Sequence, residues 1–362
     1  MASERERLDW LERTYGEDGP GMLGIGDDGA YLALSSPHLV VSVDAAIEGV
    51  HFRRAWLDWE AVAFRAVQAA LSDLAAMGAA PAAVLSSASL PATFSEAAFA
   101  ALARGTARSA DSHGARLIGG NLSASPHVEV HTTVIGHVPG PDALLTRRGA
   151  KPGDTLWVTG PLGAAALGLG VLEHLLPSPR ADVAQDPGLT ESQSISQLDA
   201  LLASSRIPER FWSLANACVK RWRAPQARIE AGLALRHHAT AAIDLSDGLS
   251  ADAHTLARAS GLTLVIDEPL PSLTYAPKVD AAAPSTSSDF CAALASELGV
   301  DWPSLQAHGG EDYELLFTLP RAVEPPCPAF RIGHCKAGPT VVRFTDPRLN
   351  PPIPSGFDHF RR

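Results

Sequence analysis

The stretch AIDLSDGL, residues 242–249, passes from a strand-like to a helix-like pattern within one turn. Residues 239–244 form a short apolar run with the composition of a buried strand, and residues 250–259 have helical spacing of apolar residues after Gly248. A second strand-like run, 263–267, follows directly. Such alternation is typical of layered α/β or α+β folds, in which the loops at strand ends carry the functional groups.

The same alternation continues in both directions from this stretch. Further strands are predicted at 39–43, 83–89, 128–138, 155–159 and 314–318, and helices at 59–77 and 162–175. The length of the chain, 362 residues, exceeds the usual size of one domain. Turn residues around 138–154 predict a boundary, which gives domains 1–145 and 146–362, and the polar, Ser- and Pro-rich segment 177–210 is predicted to be an insertion in the second.

Composition restricts the class of protein. Apolar residues make up 46% and charged residues 19%, as in a globular protein with a substantial core. The net charge of −11 argues against a nucleic-acid-binding surface, and the apolar region 61–90 contains Arg65 and Asp73, so no membrane span is predicted. The N-terminus lacks the apolar core of a signal peptide, and the four cysteines form no CxxC pair. We therefore expect a cytoplasmic protein with reduced thiols.

Carboxylates recur where apolar segments end. Asp44 follows the strand 39–43, Asp73 interrupts an alanine-rich helix, and Asp244 and Asp247 flank the turn after another strand. A carboxylate at the end of an apolar run is costly unless a positive group meets it. Magnesium is held in proteins by one or two carboxylates together with waters and substrate phosphates. The pattern therefore predicts magnesium-dependent chemistry on phosphates.

Each acidic residue also has a purely structural interpretation. Asp247 before Gly248 is equally typical of a helix cap or a turn, and the acidic residues after Gly310 are typical of an exposed turn. Asp73 can face water on an otherwise buried helix, and His51 taken singly fits a structural histidine. No single residue decides between the two interpretations.

Known phosphate-binding loops are excluded. The segment GIGDDG, residues 24–29, has the letters of a dinucleotide-binding loop, but no helix pattern follows it, and its paired carboxylates would repel a pyrophosphate. None of the four lysines stands in a G-x-x-x-x-G-K-S/T motif, and the HRD and DFG motifs of protein kinases are absent. Phosphoryl transfer by this chain would then rely on metal ions for charge neutralisation.

Nine segments, taken in order, carry a resemblance to a known family. They are GIGDDGA (24–30), VVSVDAAIEGVHF (40–52), LSDLAAMGA (71–79), LIGGN (117–121), LTRRGAKPGD (145–154), VTGPLGAAALGL (158–169), AIDLSDGL (242–249), GGEDYELLF (309–317) and GFDHF (356–360). Through them the chain resembles the thiamine-monophosphate kinase family of the aminoimidazole-ribonucleotide-synthetase-like superfamily. The segments span nearly the whole chain, and several are long and unusual in composition.

The resemblance implies a fold, an activity and a set of site residues. The implied fold is α/β with two domains: an N-terminal domain that forms the core of a homodimer and binds ATP and Mg²⁺, and a C-terminal α/β domain that closes the cleft. The implied activity is ATP-dependent phosphorylation of thiamine monophosphate to thiamine diphosphate. The implied metal ligands are Asp28, Ser42, Asp44, Asp73, Asp244 and Asp247; the implied ATP contacts are Gly120, Asn121, Arg147 and Ser246; and the implied contacts to thiamine monophosphate are His51, Glu311 and Phe357.

Three departures from the family pattern leave alternatives open. Val43 stands where the family often has Thr, Gly29 where it commonly has Cys, and Asn121 where it has a metal-binding Asp. The loss of that charge favours weaker metal binding, one fewer ion or a changed function. The alternatives are another ATP-using enzyme of the superfamily and a catalytically silent protein that binds a thiamine phosphate.

Overall fold

The computed structural model describes residues 4–16, 22–25, 30–176, 198–274 and 287–350. These residues form two compact units. The first contains the described residues up to 74 together with 79–143, and the second contains 75–78, 144–176 and the described residues from 198 onward. Residues 177–197, most of the predicted insertion, lie outside the described residues. The rest of the insertion contains a short helix of the second unit.

The first unit combines helices with a mixed sheet. Its elements are α1 (Glu4–Tyr15), β1 (Met22–Leu23), β2 (Tyr31–Leu32), β3 (Leu39–Ile47), α2 (Trp59–Ala76, which runs into the second unit), β4 (Ala80–Leu90), α3 (Glu96–Asp111), β5 (Arg116–Ala124) and β6 (Glu129–His137). The four-stranded sheet has the order β3-β6-β4-β5. Only the β4–β5 pair is parallel, because the chain crosses through α3 between these strands.

The sheet of the first unit has one face covered by helices. In β6 the buried Val130, Thr132 and Val134 alternate with partly exposed residues, as the two-residue period of a strand requires. On the buried side, a Cβ at Gly136 would lie only 3.0 Å from Cδ1 of Leu74 in α2. Helices α2 and α3 cross at Gly105, where a Cβ would lie 2.1 Å from the Glu60 carbonyl oxygen.

The second unit is built on a larger sheet. Its strands are β7 (Thr155–Val158), β8 (Ala241–Asp244), β9 (Thr263–Ile266), β10 (Leu315–Leu319), β11 (Phe330–Lys336) and β12 (Val342–Phe344). Its helices are α4 (Ala164–Leu175), α5 (Leu198–Ser204), α6 (Trp212–Arg223), α7 (Ile229–Leu235), α8 (Leu249–Ser260), α9 (Ser287–Glu297) and α10 (Trp302–His308). The six strands have the order β12-β9-β11-β7-β10-β8, antiparallel except between β12 and β9.

The core of the second unit lies between this sheet and its helices. Leu156, Leu264 and Leu316 from the strands pack in one cluster with Ala253 and Leu256 of α8. The alternation of strands and helices expected from the sequence is therefore present in both units. Within the described ranges, no helix is long and apolar enough to cross a lipid bilayer.

Candidate active site

In the first unit, three of the predicted metal ligands lie on neighbouring elements. Ser42 and Asp44 are two residues apart on β3 and share a strand face with the buried Val40. The Ser42 hydroxyl donates to Oδ2 of Asp73 on α2 at 2.5 Å. The Asp44 side chain is exposed, and its Oδ1 accepts the Ala45 N–H at 2.8 Å. This edge of the sheet therefore presents a hydroxyl and two carboxylates, all hard oxygen donors.

His51 lies in the loop that follows β3. Its Nδ1 accepts the Ile47 N–H at 3.0 Å, so a neutral His51 ring carries its proton on Nε2. The same loop is held by Glu48, which is buried and accepts from Arg54 Nε at 2.5 Å and from the Val128 N–H at 3.1 Å. His51 is thus a fixed donor at the end of β3.

A pocket of about 520 Å³ lies beside β5 in the first unit. The predicted ATP contacts Gly120 and Asn121 line it, together with apolar side chains that include Leu8 of α1 and Phe99 and Leu102 of α3. Gly120 has no room for a side chain, because a Cβ would lie 1.9 Å from the Ser86 carbonyl oxygen. The apolar wall from α3 was not predicted from the sequence pattern.

The strand register separates Asn121 from Asp44. Asp44 pairs with Thr132, whose row across the sheet continues to Ser86 and Gly120. Asn121 belongs to the next row and therefore to the opposite sheet face, where its Nδ2 donates to Ser123 Oγ at 3.0 Å. Within one chain, the structure does not bring Asn121 and Asp44 together.

In the second unit, Asp244 and Asp247 flank a tightly held turn, which we call the acidic turn (residues 244–248). Asp244 is the last residue of β8 and is 5% exposed. The N-cap residue of α8 is Gly248, not Asp247, so the capping interpretation of Asp247 does not apply. Gly248 has φ +108°, and a Cβ there would lie 2.8 Å from the His308 carbonyl oxygen.

Asp252 supports this turn and was missed in the sequence analysis. Its Oδ2 accepts the N–H groups of Asp247, at 3.0 Å, and of Gly248, at 3.1 Å. Burial, with the negative charges of Asp244 and Asp247, raises the pKa of Asp252 to about 8. The available signal was an acid in the first turn of a helix.

Backbone hydrogen bonds join the acidic turn to the segment GGEDYEL. The Glu311 N–H donates to the Ser246 carbonyl at 2.8 Å, and the Tyr313 N–H donates to the Leu245 carbonyl at 2.9 Å. Glu311 and Tyr313 have left-handed φ values of +69° and +51°, a strained geometry that surrounding contacts must hold. The structure therefore brings Ser246, Asp247 and Glu311 together.

The three carboxylates of GGEDYEL have different environments. Glu311 is only partly buried, and its Oε2 accepts from Trp222 Nε1 at 2.5 Å. Asp312 is buried and accepts the N–H groups of Gly163 and Ala165, and burial raises its pKa to about 7. Glu314 is fully buried and accepts from Thr159, Arg221 and Arg228. Of the three, only Glu311 is placed to meet a ligand.

Three of the predicted site residues remain to be located. Arg147 is exposed, and its carbonyl accepts the Ser260 hydroxyl at 3.0 Å. Asp28 and Phe357 lie outside the described residues. Among the described residues, no three His, Cys, Asp or Glu side chains converge on one point. Each unit nevertheless offers two of the predicted carboxylate ligands, and this fits Mg²⁺ because that ion usually completes its shell with water and substrate phosphates.

Comparison with known proteins agrees with the predicted fold and with the family resemblance. A family model described as "AIR synthase related protein, N-terminal domain" matches residues 26–138. The thiamine-monophosphate kinase of Salmonella typhimurium LT2 is 34% identical over 305 residues, which cover 82% of this chain and 76% of that protein. These matches confirm the predicted fold, a mixed α/β structure related to aminoimidazole-ribonucleotide synthetase.

Two solved structures are similar over nearly the whole chain. The thiamine-monophosphate kinase of Stenotrophomonas maltophilia K279a has a TM-score of 0.67 and 30% identity, and the match covers 94% of this chain and 95% of that one. The structure of AaThiL complexed with AMPPCP and TMP has a TM-score of 0.68 and 26% identity, with 99% and 97% covered. The likeness therefore extends through both units.

Proposed function

Since the chain belongs to the thiamine-monophosphate kinase family, a family of phosphotransferases, we propose that it transfers the γ-phosphoryl group of ATP to thiamine monophosphate in a Mg²⁺-dependent reaction. The product is thiamine diphosphate. The observation that carries the proposal is the set of backbone bonds that brings Ser246, Asp247 and Glu311 together. The family resemblance implies that these three residues contact nucleotide, metal and thiamine phosphate, respectively.

The carboxylates of both units are the proposed metal ligands. Ser42, Asp44 and Asp73 act in the first unit, together with Asp28, and Asp244 and Asp247 act in the second. Mg²⁺ held there would offset the negative charge of the phosphates, which is the main requirement of phosphoryl transfer. The other requirement is alignment of the reacting phosphates, and the rigid backbone around the predicted ligands would provide it.

The nucleotide base and sugar are proposed to occupy the pocket beside β5. Its volume of about 520 Å³ lies within the usual range of small-molecule sites, and its apolar wall suits an aromatic base. Gly120 and Asn121 of β5 border this pocket and are proposed ATP contacts there. Arg147 and Ser246 are the other proposed ATP contacts.

The acceptor oxygen needs no general base. A phosphate monoester has its second pKa near 6, so it is mostly dianionic at about pH 7 and already nucleophilic. His51, Glu311 and Phe357 are proposed to bind thiamine monophosphate, with Glu311 oriented by Trp222. Free thiamine, whose alcohol would need deprotonation, should be a poorer acceptor by orders of magnitude.

The first unit is also proposed to form a homodimer in the cytoplasm. The face of its sheet opposite α2, which we call the uncovered face, exposes Leu39, Val41 and Val43 at 51%, 59% and 65%. Contiguous exposed apolar side chains on a sheet are typical of a protein interface. Sedimentation of the wild type and of Val41→Glu tests this, because a buried charge at that position should yield monomers.

One coupled assay distinguishes the proposed function from its alternatives. The full-length chain is given ATP and Mg²⁺ with thiamine monophosphate, with thiamine, or with no acceptor, and ADP and thiamine diphosphate are measured. We expect both products with thiamine monophosphate only. Binding of thiamine monophosphate without ADP formation would identify a silent homologue, and ADP formation without thiamine diphosphate would indicate another ATP-using activity of the superfamily.

A further inference from the structure

Asp252 is a buried carboxyl group to which neither the predicted metal set nor the substrate set assigns a role. It lies in the first turn of α8, and its residue is 6% exposed. One oxygen, Oδ2, accepts two consecutive N–H groups, from Asp247 and Gly248, at 3.0 and 3.1 Å. The side chain thus fixes two successive peptide units of the acidic turn.

The acidic turn is held from two sides. On one side, the Leu245 N–H donates to the Glu314 carbonyl, and the Ser246 carbonyl accepts the Glu311 N–H, both at 2.8 Å. On the other side stands Asp252. Contact with residues 308–310 leaves the turn little room to relax, since a Cβ at Gly248 would already lie 3.0 Å or less from the His308 and Gly309 carbonyl oxygens. The direction of the Asp247 side chain therefore depends on both supports.

We propose that Asp252 is a positioning residue, which holds the Asp247 backbone so that the Asp247 carboxylate is aimed at Mg²⁺. This inference rests on the proposed function, because the metal role of Asp247 is part of that proposal. Groups that orient a metal ligand without touching the metal commonly change metal affinity by about 10–100-fold when they are removed. Position, rather than negative charge, is the property that Asp252 supplies.

Two substitutions separate the position of the oxygen from the ionisable carboxyl group. Asp252→Asn keeps an oxygen at the same reach but removes the ionisable group, and Asp252→Glu keeps that group but moves its oxygens by one methylene. Asp252→Ala removes the acceptor altogether. Asp301 provides a matched control, because its Oδ2 caps α10 of the same unit by accepting the Ser304 N–H at 3.0 Å, and it has no bond to the acidic turn. Asp301→Ala therefore removes the N-cap of α10 but should leave the metal site unchanged.

The experiment is titration of each full-length variant with Mn²⁺ alone, followed by the loss of the free-ion electron paramagnetic resonance signal. We expect Asp252→Ala and Asp252→Glu to raise the Mn²⁺ Kd by about tenfold, while Asp252→Asn and Asp301→Ala stay within about twofold of the wild type. If Asp252→Ala does not fold, the Asn and Glu variants still decide the question. Wild-type affinity in Asp252→Glu, or weak binding in Asp252→Asn, overturns the inference and leaves the proposed function intact. If the wild type binds no Mn²⁺, the metal role of Asp247 itself fails.

Discussion

The two units present their acidic groups on different supports. In the first unit, Ser42 and Asp44 project from a long strand, and the Ser42 hydroxyl donates to Asp73 on α2. In the second unit, Asp247 lies in a turn that is fixed by the Asp252 carboxyl group and by backbone bonds to the GGEDYEL segment. A site on regular structure depends mainly on its own side chains. A site on a turn depends also on groups that never meet the ligand.

The largest effect is expected for Asp247→Asn. The substitution removes a proposed metal charge but keeps the size of the side chain, and Gly248 remains the N-cap of α8. We expect kcat/KM to fall by about a thousandfold, about 4 kcal/mol, with the thermal midpoint nearly unchanged. Steady-state kinetics with thiamine monophosphate and calorimetry measure the two quantities. Turnover within tenfold of the wild type would show that Asp247 is a turn residue only.

The next effect concerns stability and compares one buried carboxylate in each unit. The Glu314 side chain is 0% exposed and pairs with Arg221 and Arg228, whereas Glu48 pairs with Arg54, which is 41% exposed. Breaking a buried pair costs about 3–5 kcal/mol, and a pair with one exposed partner costs about 1 kcal/mol. Glu314→Gln should therefore destabilise the protein several times more than Glu48→Gln in chemical denaturation. Equal losses in the free energy of unfolding for the two variants would contradict the expected difference between the two ion-pair networks.

A smaller effect is the pH dependence that comes from Asp312. Its pKa is raised by burial to about 7 from the ordinary value of 3.8, so between these pH values the folded state holds a proton that the unfolded state has lost. The contribution of Asp312 to the free energy of unfolding therefore falls as pH rises from about 4 to about 7, and it is constant outside that range. Asp312→Asn can still accept N–H groups of α4, and it should reduce the decline of the thermal midpoint between pH 5 and pH 8. Parallel midpoint curves for the two proteins would contradict the assignment.

The smallest effect is expected for Asn121→Asp. The register places this residue on the sheet face opposite Asp44, so the new charge acts on a metal at Asp44 only at a distance. Such a charge contributes on the order of 1 kcal/mol, and we expect the Mg²⁺ concentration for half-maximal activity to fall about fivefold at fixed ATP. Superimposable Mg²⁺ titrations of the two proteins would show that position 121 does not sense the metal.

Local pattern predicted those parts of the fold in which neighbours in sequence determine structure. The strand that ends at Asp244 and the helix after Gly248 were both evident, since apolar periodicity and turn residues specify them. The strand predicted at 39–43 continues to Ile47 in the structure, because pairing with β6 extends through the polar Asp44. Helix α3 was not assigned, although its buried Phe99, Leu102 and Thr106 recur at helical spacing.

The candidate site was predictable only where its groups lie in recognisable motifs. Trp222 was missed because it reaches Glu311 across 89 residues, and no local pattern records such a contact. Asp312 belonged to a recognised motif, but its place at the start of α4 depends on tertiary packing. Asp252 had a local signal, an acid in the first helical turn, whose meaning depends on which amides it faces.

The position of β7 determines when the second unit can form during synthesis. This strand pairs with β10 and β11, and the first amides of α4 bond to Asp312, which is 149 residues later than Gly163. All four strands of the sheet in the first unit, in contrast, have been made once His137 has left the ribosome. Non-local pairing slows folding, because the entropy cost of closing a long loop comes before its stabilising contacts form. The growing chain therefore carries apolar β7 and α4 without their partners until β10 and β11 emerge, and that interval is when it most needs protection from aggregation.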